Sequence, residues 1–114
     1  MPYIHLRCNK TVTKEQETVL KSRFGEAIAL LPGKSERWLM VDVEDGARLW
    51  LAGEGGAPLA LLEVEIFGKG QKEAYDRLTE ALCQILAEVL AIPGEGVYVK
   101  YAEKSIWGYN GFNF

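Results

Sequence analysis

The chain has 114 residues, 48% of them hydrophobic and 25% charged, and a formal net charge of −3. That length and balance describe one domain, 1–114, able to bury a single apolar core. An acidic surplus with no Lys/Arg stripe excludes a nucleic-acid surface, and no apolar run nears the roughly 20 residues of a membrane span. The start MPYIHLRCNK has no apolar segment of a secretion signal, so a cytoplasmic protein is expected. A methionine before a small residue is commonly removed, which would leave Pro2 as a secondary amine at the terminus. In any other position a proline nitrogen is an amide without basicity; at the terminus it can take and give a proton.

Residues 2–8 (PYIHLRC) alternate, with Ile4, Leu6 and Cys8 on one face and Tyr3, His5 and Arg7 on the other, which predicts a strand. Thr13 and Gln16 fit a capping box, and Leu20, Phe24, Ala27, Ile28 and Leu31 then follow helical spacing until Leu-Pro-Gly. WLMVDVED reads as a second strand. LALLEVEIF reads as a third, with Ala60, Leu62, Val64 and Ile66 facing one way and Glu63 and Glu65 the other. After KGQKE the spacing predicts a helix whose apolar stripe is Tyr75, Leu78, Leu82, Ile85, Leu86 and Val89, with Cys83 as a small buried hydrophobe on that face. AIPG ends it, and GVYVKYAE is the last long strand.

The same unit therefore occurs twice, over about 2–45 and 59–102, each helix opening on Lys-Glu and closing on Leu-Pro-Gly or Ile-Pro-Gly. Two β-α-β units give an α+β fold, a four-stranded sheet with two helices on one face, because right-handed crossovers place both helices there. The opposite face then carries Tyr3, His5, Arg7, Glu63, Glu65 and Lys100. Trp50, Trp107, Tyr109, Phe112 and Phe114 exceed what two helices on one sheet need, which makes them candidates for an interface or a pocket. Two cysteines and one histidine supply neither a disulfide framework, a zinc site nor a Ser-His-Asp triad, and no cofactor is expected.

In its motifs and their order the sequence resembles the macrophage migration inhibitory factor family of the tautomerase superfamily. The resemblance rests on Pro2 opening the first strand, Pro-Gly-Lys with Lys34, IFGKG at 66–70, GVYVKY at 96–101 and the ending WGYNGFNF, which resembles the family's C-terminal hairpin, here 105–114. It implies a homotrimer with three sheets around a central barrel and active sites at the subunit boundaries. It also implies Pro2 as catalytic acid/base and Lys34 as the cation of the pocket. Phe67 matches the position whose backbone N–H faces the substrate, and Tyr98 a pocket tyrosine from the neighbouring subunit. Trp38 and Tyr109 match aromatic walls, and Phe114 an aromatic near the C-terminus. Lys100 stands where the cytokine of the family has a pocket asparagine, and Trp107 replaces a smaller apolar residue at the rim. The cytokine's Cys-x-x-Cys is absent, replaced by APLALLE with Leu59 and Leu62, so no thiol-oxidoreductase activity carries over.

The implied activity is keto–enol tautomerisation of a 2-oxo acid such as phenylpyruvate, an isomerase reaction. It needs a base that titrates near working pH, and a free α-amine begins at about 7.7–8.0. Burial and a neighbouring cation lower that value. Lys34 would hold the carboxylate or polarise the 2-oxo group, and Lys100 either adds to carboxylate binding or stands solvated on the polar face. The alternative function is cytokine-like signalling, for which no residue marks a receptor surface; export without a leader is compatible with it. A dehalogenase is a third reading, for which the arginines are too few, Arg37 alone standing beside the Lys34 turn.

Overall fold

A computed structural model describes all 114 residues, Met1–Phe114. The alternation at the start is realised as β1 (Pro2–Cys8), with Ile4, Leu6 and Cys8 fully buried. Thr13 caps α1 (Lys14–Ala27) with a complete capping box, and a 3-10 turn (Ile28–Leu30) extends the helical path towards Leu31. The second strand, β2 (Met40–Glu44), starts later than the apolar pattern suggests. Trp38 lies instead in a 3-10 turn, Glu36–Trp38, which precedes the strand. That turn rests on α1 at Gly25, where an added Cβ would collide with the Glu36 side chain.

The second unit comprises β3 (Ala60–Phe67), α2 (Lys72–Leu90) and β4 (Val97–Lys104). The sheet order is β2-β1-β3-β4, with β1 parallel to β2, β3 parallel to β4, and β1 antiparallel to β3 across the middle. Both helices cover one face, as two right-handed crossovers require. Their core joins Leu20, Phe24 and Ile28 of the first unit to Leu78, Leu82 and Leu86 of the second.

In α2 the buried stripe includes Ala74 and Leu90, while Tyr75 and Val89 are only partly buried at its edge. Tyr75 stays at the edge because its hydroxyl donates to Glu103 at 2.7 Å. Cys83, expected inside, is half-buried, because Leu82, Ile85 and Leu86 fill the inward face. A two-stranded hairpin, β5 (Gly108–Tyr109) and β6 (Phe112–Asn113), ends the chain. No helix is long and apolar enough to cross a membrane.

The face opposite the helices is polar and ordered by pairing. Tyr3 donates to Asp42 at 2.7 Å, and His5 places its two ring nitrogens 3.0 Å from Glu44 and 3.1 Å from Glu63. Lys100 lies 3.2 Å from Glu63 and Lys104 3.7 Å from Glu65.

Candidate active site

Pro2 is buried at the start of a central strand, where β1 meets the end of β3 in the register Pro2↔Ile66. One residue further on, the Phe67 N–H donates to the Met1 carbonyl at 3.1 Å. The Lys34 ammonium donates to the Phe67 carbonyl at 2.8 Å, so both backbone groups of Phe67 are engaged at this corner. Lys34 is delivered there by the Leu-Pro-Gly turn, in which Gly33 takes φ +81° and Lys34 N–H donates to Leu31. The α-amine of Met1 is held below its ordinary value of 8.0, first by burial, then by the charge and hydrogen bond of Lys34.

A depression of about 450 Å³ opens beside Pro2. Trp38 and Tyr109 form part of its wall in an edge-on contact, 5.4 Å between centroids, and Trp107 lines it too. The Arg37 guanidinium lies 5.0 Å over the Trp38 ring. Phe67 packs on Phe114 at 5.8 Å, and Phe114 N–H donates to the Trp107 carbonyl, which ties the C-terminus to this corner. The loop after β3 is fixed from behind. Gly68 turns at φ +92°, and Glu103 accepts both the Gly70 N–H at 2.8 Å and the Tyr75 hydroxyl. Those two bonds lower the Glu103 pKa, and burial together with Glu103 pushes Tyr75 up to about 12.

Seven of the nine candidate residues thus gather at one end of the sheet: Pro2, Lys34, Phe67, Trp38, Trp107, Tyr109 and Phe114. Tyr98 and Lys100 do not join them within one chain. From the strand register they lie five and three residues back from the level of Pro2, about 16 and 10 Å along β4. Tyr98 instead lines a small apolar groove with Trp50, Leu51, Leu59 and Leu61, and Lys100 is paired with Glu63. Residues absent from the sequence-based set, Tyr3, Arg37, Met40 and Glu65, also line the depression. Alternation puts Tyr3 and Glu65 on the polar face beside Pro2, and this was the available signal. Met40 is brought in by the parallel register Tyr3↔Met40, which no local pattern encodes. No group of three His, Cys, Asp or Glu side chains is placed to hold a metal ion.

The fold is shared with solved structures of low sequence identity. Leishmania major MIF2 is 24% identical, with a TM-score of 0.93 and coverage of 100% of this chain and 97% of that one. The macrophage migration inhibitory factor-like protein of Entamoeba histolytica is 18% identical, with a TM-score of 0.87 over 99% and 98% of the two chains. Pt0534, solved after inactivation by 2-oxo-3-pentynoate, is 20% identical, with a TM-score of 0.83 over 96% and 93%. No curated protein matches the sequence. The family model of macrophage migration inhibitory factor, however, matches residues 1–114, every element from Pro2 to the final hairpin, and the chain belongs to that family.

Proposed function

We propose that the chain, once it begins at Pro2, is a tautomerase of 2-oxo acids such as phenylpyruvate, with the Pro2 nitrogen as acid/base. The observation that carries this reading is the corner itself. A buried proline, next to a Met1 α-amine that these surroundings hold below its ordinary value, sits beside a lysine that has no carboxylate partner and a backbone N–H able to bind oxygen. In the reaction the neutral Pro2 amine takes a proton from the carbon next to the carbonyl. The electron pair moves onto the carbonyl oxygen, where Lys34 and the Phe67 N–H stabilise the enolate. Pro2 then returns the proton to that oxygen, giving the enol, and every step runs in reverse. While Met1 is present its carbonyl takes the Phe67 N–H, the donor allotted here to substrate oxygen.

Three chains form a trimer in this proposal, each site lying at a subunit boundary with Tyr98 and Lys100 supplied by a neighbouring subunit. The polar sheet face and the exposed Trp50, Tyr98 and Phe112 support that assembly. Similarity in fold to Pt0534, inactivated by a 2-oxo acid bearing an alkyne, supports the substrate class.

The test compares protein that keeps Met1 with protein beginning at Pro2, each confirmed by mass, on enol and keto phenylpyruvate. Only the processed form should turn over. It should also be alkylated by 2-oxo-3-pentynoate, the Pro2 nitrogen adding to the alkyne carbon and a proton passing to the adjacent carbon. Equal turnover by the two forms would remove Pro2 from the mechanism.

A further inference from the structure

Arg37 is the cation that lines the Pro2 depression, and neither it nor Lys34, at the Phe67 corner, has a carboxylate within 4.0 Å, whereas Lys104 is 3.7 Å from Glu65. Lys34 spends one hydrogen bond on the Phe67 carbonyl. Arg37 lines the depression with its guanidinium laid over Trp38, one of the aromatic groups of the wall. Stacking of this kind orients an arginine without neutralising it and leaves its N–H groups free for a planar anion. The other polar groups of the depression are already committed. The Tyr3 hydroxyl donates to Asp42, and Glu65 is balanced by Lys104. The site therefore offers two separated positive charges, one at the reacting corner and one on the aromatic wall. A simple aryl 2-oxo acid carries one negative charge and would use only the first.

We propose that Arg37 is a specificity residue of the pocket, and that the preferred substrates are 2-oxo acids with a second carboxylate at the end remote from the 2-oxo group. This rests on the tautomerase reading of the same site. The 2-oxo acid end meets Lys34 and Pro2, the middle of the substrate lies against Trp38 and Tyr109, and the far carboxylate pairs with the Arg37 guanidinium. Glu65, which also faces the depression, disfavours an anion placed near β3, which restricts the second charge to the Arg37 side.

The probes are phenylpyruvate and its ring para-carboxylate, which share one frame and differ by one charge. Protein beginning at Pro2 should favour the dianion by about 5- to 30-fold in kcat/KM, the scale of a half-exposed charge-assisted pair, and the advantage should shrink with added salt. In Arg37→Gln the preference and its salt dependence should vanish through KM, the dianion losing far more than phenylpyruvate. Arg37→Lys should restore part of the preference. A preference that is absent in the parent protein, or identical in Arg37→Gln, overturns the proposal. If neither compound is turned over, the tautomerase reading fails separately. Arg37 is then judged by binding of the two acids, read from quenching of tryptophan fluorescence. Tighter binding of the dianion that is lost in Arg37→Gln upholds the second-anion site, and equal binding of both acids overturns it.

Discussion

Lys34 occupies the pocket corner through one hydrogen bond to a backbone carbonyl, and the charge it brings there has no acidic partner to cancel it. Such a cation costs little to hold at a half-buried position and is available to an anion that forms nearby. Lys34→Ala is expected to reduce kcat/KM for a 2-oxo acid by roughly 10- to 1000-fold, about 1.4–4 kcal/mol, in steady-state assays. Its effect on pH dependence has a definite sign. Burial and Lys34 both disfavour the protonated α-amine of Met1. Under the proposed mechanism the same surroundings act on the Pro2 amine once Met1 is removed, and the neutral base then persists to lower pH. The rate should rise with pH through the lowered pKa and then level off. Without Lys34 one of the depressing influences is gone, and the rising limb should move to higher pH. A pH profile of kcat/KM for both proteins reads this directly; an unmoved limb would separate the lysine from the base.

Among the elements, α1 shows how local chemistry secures a helix whose sequence is mostly polar. Thr13 accepts the Gln16 N–H at 3.1 Å, and Gln16 accepts the Thr13 N–H at 2.9 Å. The same Gln16 side chain donates to the Val89 carbonyl near the end of α2, so the cap also ties the two helices together. Thr13→Ala should destabilise the protein by about 1 kcal/mol in denaturant titrations, the usual value of an N-cap hydroxyl. The helix matters to the site because the turn carrying Arg37 and Trp38 rests on it at Gly25. At the end of α2, Ala91 adopts the left-handed conformation at φ 55°, and its N–H with that of Ile92 closes the last turn onto Leu86 and Ala87. Without such closure the chain would not be redirected into β4.

For the whole molecule, the salient fact is how much aromatic surface the single chain leaves outside. Trp50 is 72% exposed and Tyr98 61%, and the two line one apolar groove at the sheet end remote from Pro2. Exposed apolar patches of this kind mark interaction surfaces. Under the proposed trimer, native mass measurements should give three copies of the 12.7 kDa chain. Trp50→Glu should shift that mass towards one copy while the helical circular dichroism is kept. If sites are shared, activity should fall with the loss of assembly, although Trp50 is far from Pro2 in its own subunit. A monomer with full activity would refute shared sites.

The order β-α-β twice, the buried faces of β1 and β3, and the cap of α1 were all determined by the sequence itself. Each depends on periodicity or on neighbours a few residues apart, and such patterns are local. Lys34, Pro2 and Phe67 were legible as a set only through the resemblance of their motifs, since nothing local relates position 2 to 34 or 67. Tertiary structure decided the rest. The antiparallel join of the two units set Pro2 against Ile66 and put the Phe67 N–H on Met1. The parallel register of β2 brought Met40 to Tyr3, and the 3-10 turn carried Trp38 out of the strand that its apolar neighbours suggested, beside Arg37. The hairpin then folded back to set Tyr109 against Trp38 and Phe114 against Phe67. A depression is made of surfaces from distant segments, so its lining follows from strand register and packing, which no stretch of sequence carries alone.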